Sequence, residues 1–146
     1  MNDKPPLIKD INDGKKKGII FLTEEDMNKY MDYTPLMPDL INFDKLKALP
    51  TFKIKAYKDS VYRGEISDSK RHGQGVIVYT SSRVYEGEWV NDKRHGTGFE
   101  RFSNGNTYFG TYQDGRVWGQ GKYTWTSGEY FDGEWVAGHK EGYGVW

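Results

Sequence analysis

The sequence predicts an all-β protein, an elongated single-layer twisted antiparallel sheet of β-hairpin repeats with a partly helical N-terminal extension. Three observations support this fold class. One pattern recurs every 23 residues between Tyr62 and Trp146, and periods of this size are typical of stacked units that bury a core only together. Apolar and polar residues alternate within each copy, as in half-buried strands. Eighteen glycines accompany 16% aromatic residues, which favours a thin sheet with aromatic ladders over a thick aliphatic core.

The recurring pattern is fullest in the copy that begins at Tyr85. It reads Tyr-Glu-Gly-Glu-Trp, then a charged stretch over 91–95, then Gly96-Thr97-Gly98 and a Ser-Asn-Gly turn. We expect each copy to form a hairpin of two strands, with a short glycine turn between copies and a longer charged turn within each copy. The predicted repeats cover 62–146, divided into 62–84, 85–107, 108–130 and an incomplete 131–146.

Residues 1–50 are expected to form an N-terminal arm with one or two short helices. Thr23 is a candidate N-cap followed by three acidic residues, and Met27, Tyr30 and Met31 then form one apolar stripe. A second helix is expected to begin at Asp39 and to end before Pro50. Because short amphipathic helices have no core of their own, we expect them to dock on the sheet or on another protein.

Residues 51–61 resemble the second half of a degenerate repeat without its glycines. Phe52, Ile54 and Ala56 alternate with basic residues, which predicts a strand with one buried face. Counting back one period from Gly75, Ile77 and Tyr79 arrives at these three residues. We therefore predict an N-terminal cap strand that closes the open edge of the array.

The aromatic residues are the candidate protein-interaction surface. A single-layer sheet cannot hide both faces from water, so we expect aromatic rings on one face to be exposed to a partner. The predicted interaction residues are Tyr62, Tyr85, Trp89, Tyr108, Tyr112, Trp125, Phe131 and Trp135.

Basic residues recur in the charged stretches and predict a ridge along one sheet edge. Such a ridge suits an anionic surface, for example phosphoinositide headgroups. The competing interpretation is a solvated edge, because hairpin turns are commonly charged and acidic residues lie beside the same stretches. The ridge consists of Lys70, Arg71, Lys93, Arg94, Arg116 and Lys140.

Composition and motifs argue against several classes of protein. Lys plus Arg equals Asp plus Glu, at 21 each, so no overall field attracts nucleic acid. The chain has no cysteine and no apolar run long enough to span a bilayer. His72 and His95 lie one repeat apart, too far for one zinc, and the Gly-x-Gly pairs lack the lysine of a phosphate-binding loop. We expect no enzyme activity, metal or cofactor.

Taken together, these residues resemble the MORN repeat (membrane occupation and recognition nexus), with the closest matches at 85–89 and 131–135. Tyr62 to Ile66 lacks the tryptophan, and Tyr108 to Tyr112 lacks both the glutamate and the tryptophan. The resemblance does not extend to residues 1–50. It implies twisted antiparallel sheets used as scaffolds in ciliary axonemes (notably radial spokes), in cytoskeletal rings and at membrane contacts.

The resulting hypothesis is a non-catalytic scaffold that binds other proteins of a large assembly through the repeat sheet. By family resemblance, we expect a cytoplasmic, cytoskeleton-associated protein, with the cilium or axoneme as the leading location. The unfinished edge at 144–146 suggests a homodimer or a strand-pairing partner. The alternative hypothesis is a peripheral membrane adaptor that binds anionic phospholipids through the basic ridge.

Overall fold

A computed structural model describes residues 19–20 and 30–145, and these form one antiparallel sheet. The strands lie in sequence order, each paired with its neighbours along the chain, which confirms the predicted all-β class. The elements are β1 (Ile19–Ile20), α1 (Phe43–Lys47), β2 (Phe52–Tyr57), β3 (Ser60–Ser67), β4 (Lys70–Tyr79), β5 (Val84–Val90), β6 (Lys93–Arg101), β7 (Thr107–Gln113), β8 (Arg116–Thr124), β9 (Tyr130–Val136) and β10 (His139–Val145).

The turn within each repeat is only two residues long, so the predicted longer charged turn is wrong. In the second repeat the turn consists of Asn91 and Asp92, with φ of 48° and 71°, and Lys93 already pairs with Val90. Two consecutive residues with positive φ match the twist of the flanking strands. The same turn recurs at 68–69, 114–115 and 137–138.

A register shift interrupts every one of these hairpins. In the second repeat it lies between Gly87 and Trp89, and equivalent shifts occur in the first, third and fourth repeats. Gly96, on the longer strand of the hairpin, has φ of 67°. Irregularities of this kind increase local twist and bend the strand.

The two faces of the sheet have different coverings. We define the inner face as the one that carries Tyr62, Tyr85 and Tyr108, and the outer face as its opposite. Residues 30–49 pack on the outer face over the strands β2 to β5. Two apolar clusters result, one of Tyr30, Ile54, Ala56 and Val61 and one of Ile41, Phe43, Leu46, Val76 and Val84.

Buried charged side chains on the outer face hold this N-terminal segment. The carboxylate of Glu86 is fully buried and accepts hydrogen bonds from the Tyr33 hydroxyl and from the backbone N–H groups of Leu36 and Met37, at 2.6, 2.7 and 2.8 Å. Arg63 donates from Nε to the Tyr30 carbonyl at 2.7 Å. These bonds satisfy polar groups that burial would otherwise leave unpaired.

The cap strand β2 is present, but its predicted register is wrong by one residue. One period further along the chain, Gly75 pairs with Gly87, so the repeat register predicts that Phe52 pairs with Gly64. In the structure Phe52 pairs with Glu65 instead. A one-residue slip moves every side chain to the other face. The apolar residues of β2 therefore face the N-terminal segment, and β1 pairs with the far side of β2.

The helix α1 begins later than predicted. Its N-cap is Asn42, whose side chain accepts from the Lys45 N–H at 3.1 Å, and Asp39 instead lies in a preceding turn. The other predicted helix, from Thr23, lies mostly outside the described residues.

We predict that Glu86→Ala will destabilise the chain by about 3 kcal/mol or more, because three donors lose their buried acceptor. Asp132 is the matched control, since it occupies the same repeat position but is exposed. Asp132→Ala should change the free energy of unfolding by less than about 0.5 kcal/mol. Urea unfolding measures both variants, and equal effects would refute the anchoring role of Glu86.

Candidate functional site

The inner face carries a continuous ladder of buried aromatic rings. Neighbouring rings meet edge to face, with centroids 5.1 Å apart for Tyr85 and Trp89 and for Tyr85 and Tyr112, and 5.5 Å apart for Tyr108 and Trp135. This geometry is favourable for aromatic pairs. The ladder consists of Tyr62, Tyr85, Trp89, Tyr108, Tyr112, Phe131 and Trp135, together with Ile77.

The expectation that these seven rings are exposed is wrong. Each is 6% exposed or less, and Tyr62, Tyr85 and Tyr108 are completely buried. The rings bury one another, so a single layer of strands supplies a core on its inner face. Trp125, the eighth predicted interaction residue, is only partly buried and contacts Tyr123, with 4.8 Å between the ring centroids.

Glycine is required under each tyrosine of the ladder. A Cβ on Gly98 would lie 2.5 Å from the ring of Tyr85, and one on Gly87 would lie 2.6 Å from the Gly98 Cα across the strand pair. The Tyr85 hydroxyl passes over this gap and donates to the Glu88 carbonyl at 2.8 Å. Tyr62 and Tyr108 make the same bond at 2.8 and 3.0 Å.

The remaining motif residues satisfy backbone groups near the register shift. The indole Nε1 of Trp89 donates to the Gly75 carbonyl at 3.1 Å, and that of Trp135 donates to the Gly121 carbonyl at 2.9 Å. The Glu88 carboxylate accepts from the Thr97 N–H at 3.2 Å. The Tyr-x-Gly-Glu-Trp pattern therefore maintains the fold itself.

The predicted basic ridge is divided between two directions, because neighbouring residues of a strand point to opposite faces. Lys70, Lys93 and Arg116 are exposed at the start of their strands. Arg71 and Arg94 instead extend over the inner face, where their guanidinium groups lie 4.6 Å from the Trp89 ring and 5.3 Å from the Tyr85 ring. The side chain of Lys140 lies outside the described part of the chain.

Arg71 is neutralised by the following repeat. Its Nε donates to the Asp92 Oδ1 at 2.9 Å, and the same oxygen accepts from the Arg71 backbone N–H at 2.9 Å. Burial alone would raise the pKa of the Asp92 carboxyl, but these hydrogen bonds and the charge of Arg71 hold that pKa below its usual range.

A cleft of about 320 Å³ opens on the inner face and is lined by residues of all four repeats. One of the residues that line it is Glu100, which is 2% exposed. Its carboxylate pairs with Arg83 and accepts from the Tyr112 hydroxyl at 2.8 Å. The sequence analysis assigned no role to Glu100. Its repeat position is occupied by Ile77 and Tyr123 in the neighbouring repeats, and an acidic residue at such an inner-face position could have indicated a buried carboxylate. The lining includes Arg83, Arg94, Glu100, Phe102, Tyr112, Gly115, Arg116, Val117, Tyr123 and Trp135.

The outer face of repeats three and four is uncovered by the described N-terminal segment. Phe109, which occupies the repeat position of Glu86, is 43% exposed, and Trp118 and Val136 are 37% and 38% exposed. We did not predict this patch, because an isolated aromatic in a repeat does not show which face its neighbours leave open.

Neither a metal site nor a membrane-spanning helix is found in the part of the chain that the structure describes. No group of three or more metal-ligating side chains converges there, and no described helix is long and apolar enough to cross a bilayer.

We predict that Gly98→Ala will cost about 2–3 kcal/mol, because the new methyl group collides with the Tyr85 ring. Gly128 is the control, since a Cβ there meets nothing within 4 Å and φ is 97°. Gly128→Ala carries only backbone strain of about 1–2 kcal/mol. Thermal or urea unfolding compares the variants. A smaller loss for Gly98→Ala than for Gly128→Ala would contradict the packing argument.

We also predict alkaline unfolding driven by the ladder. Burial raises the pKa of Tyr62, Tyr85, Tyr108 and Tyr112 above the ordinary value of 10.0. Above pH about 10 these tyrosines lose their hydroxyl protons in the unfolded state but keep them in the folded state. The free energy of unfolding is therefore unaffected by them below pH about 10. It falls as the pH rises further, by up to about 1.4 kcal/mol per pH unit for each tyrosine.

Tyrosinate absorbance and circular dichroism, recorded together against pH, test this expectation. A fraction of the tyrosines should ionise only as the sheet unfolds. Ionisation of every tyrosine near pH 10 with an unchanged sheet signal would contradict burial of the ladder.

Comparison with known proteins supports the repeat assignment. The MORN repeat family model matches residues 62–82, 85–107, 108–130 and 131–146, which together make up more than half of the chain. No curated protein matches the chain. On the strength of four repeats whose motif residues build the ladder and the turns described above, this chain belongs to the MORN-repeat family.

Proposed function

We propose that the chain is a non-catalytic scaffold that binds other proteins through its repeat sheet. The observation that supports this most is the uneven covering of the outer face. Residues 30–49 cover the outer face over β2 to β5, while the large apolar side chains of Phe109, Trp118 and Val136 are exposed on the same face beyond it. Exposed apolar patches of this kind are typical of protein-binding surfaces.

This proposal moves the interaction surface away from the aromatic ladder. The ladder rings are engaged with one another and with backbone glycines, so a partner would contact the outer patch and the partly open cleft beside Trp125 and Tyr123. Family members commonly serve in protein or membrane-lipid interactions. We place the chain in a cytoskeletal assembly, with the ciliary axoneme as the leading location, on the family resemblance.

The second candidate function is binding to anionic phospholipids. The exposed Lys70, Lys93 and Arg116 follow equivalent turns, and two strand spacings of about 4.8 Å separate successive members of this row. Such a row suits several headgroups at once. The strand β10 lies at the edge of the described sheet and pairs with β9. We propose that another chain pairs with its free edge at 144–146, although Trp146 itself lies outside the described residues.

We predict that a photo-crosslinking amino acid at Trp118, introduced in cells that express the chain, will give discrete protein adducts. Position Ser81 is the control, because it is exposed in a turn between repeats. Phe109→Ser should reduce the adducts at Trp118, because it removes apolar contact area from the same uncovered outer face. If the same set of proteins were crosslinked at positions 118 and 81, the claim that the outer face binds a specific protein would be contradicted.

Flotation with phosphoinositide vesicles tests the alternative. Binding at physiological salt that is lost on Lys70→Glu, Lys93→Glu and Arg116→Glu together, without discrete adducts at Trp118, would replace the scaffold proposal with the membrane adaptor.

A further inference from the structure

The inner cleft contains an arginine whose expected acidic partner is missing. Arg71 and Arg94 are one period apart, and the backbone around them is equivalent: Asp92 N–H donates to the Arg71 carbonyl and Gly115 N–H donates to the Arg94 carbonyl, both at 2.9 Å. In the first case the turn residue contributes the carboxylate that binds the guanidinium. In the second case the equivalent turn residue is Gly115, which has no side chain and contributes no carboxylate.

The empty position leaves an unsatisfied donor. Arg94 Nε is buried and has no hydrogen-bond partner among the described residues, whereas Arg71 Nε bonds the Asp92 Oδ1. Within the described part of the chain, the Arg94 guanidinium donates one hydrogen bond, to the Tyr79 hydroxyl at 3.2 Å. A buried charged donor without an acceptor is costly, and it gains most from an incoming carboxylate.

The space for that carboxylate exists. A Cβ built on Gly115 meets no atom within 4 Å, and Gly115 and Arg94 both line the 320 Å³ cleft. The one carboxylate in the cleft lining, Glu100, is already engaged by Arg83 and Tyr112. The lining therefore has two cations in excess, Arg94 and Arg116, beside the rings of Tyr123 and Trp135.

We propose that Arg94 and the vacant position above Gly115 form a site for an acidic side chain of a partner protein. The partner carboxylate would occupy the place that the Asp92 carboxylate occupies at Arg71, and an adjacent aromatic side chain of the partner would lie against the rings of the cleft. This inference rests on the proposed scaffold function and specifies the chemistry of one contact. The third equivalent position is Val117, so the first three repeats contain one such site.

The test uses N-acetyl-Trp-Asp-amide as the probe and the Nε–H resonance of Arg94 in nitrogen-15 spectra of the full chain as the readout. The resonance is identified by its loss in Arg94→Lys. We expect it to shift saturably with the probe. N-acetyl-Trp-Asn-amide, which has the same shape without the charge, should bind at least about tenfold more weakly.

Two substitutions at Gly115 form a matched pair. Gly115→Asp supplies the missing carboxylate within the chain, as Asp92 does, and should weaken probe binding at least about tenfold. Gly115→Asn has nearly the same size and backbone strain but no charge, so it should weaken probe binding clearly less than Gly115→Asp does, because its amide oxygen leaves the charge of Arg94 unneutralised. The turn accepts both residues, since Asp92 has φ of 71° at the equivalent position.

Asp92→Gly provides the converse test, because it should create a second probe site that shifts the Arg71 resonance. The inference is overturned if the Arg94 resonance does not respond, if both probes bind equally, or if Gly115→Asp binds the probe as the parent chain does. Failure of the probe while the Trp118 adducts persist refutes this site alone. Loss of those adducts with normal probe binding refutes the scaffold proposal and retains the site.

Discussion

The structure depends on one contact, the placement of a tyrosine ring over a pair of glycines on adjacent strands. Tyr85 lies over Gly87 and Gly98, and its hydroxyl reaches a carbonyl beyond them. Burial of such a ring contributes roughly 2–3 kcal/mol and each ring pair about 0.5–1.5 kcal/mol, against about 1 kcal/mol for a glycine in a strand. The repeated contact therefore lets one layer of strands supply its own core.

This constraint divides the repeat into positions that maintain the fold and positions that are free to differ. The ladder residues occupy the inner face, whereas the residue after the opening aromatic points outward and varies as Arg63, Glu86, Phe109 and Asp132. The first two hold the N-terminal segment, and the others are exposed. The contacts that we propose for partners thus involve repeat positions outside the ladder, including the turn position shared by Asp92 and Gly115.

The sequence was sufficient for the order of strands, because a fixed period with alternating apolar residues permits few other folds. The alternation of glycines and aromatics predicted aromatic ladders, but it did not show that their rings are too buried to contact a partner, since the extent of burial depends on rings reaching one another across bent strands. The sequence analysis also missed the register of β2, because the loop between β2 and β3 is one residue shorter than the equivalent loops between repeats. It missed the role of Glu86 because the hydrogen-bond partners of that carboxylate lie 49 to 53 positions away in the sequence. The basic ridge is divided for a local reason, because consecutive strand residues face opposite sides.

A double-mutant cycle between Tyr85 and Gly98 tests the central claim most directly. If the ring is what excludes a side chain from position 98, Gly98→Ala should cost much less in a Tyr85→Ala background than in the parent chain. The expected coupling is at least about 1 kcal/mol, within the range found for residues in contact. Additive free energies of unfolding would show that glycine is needed there for another reason, and would contradict the account.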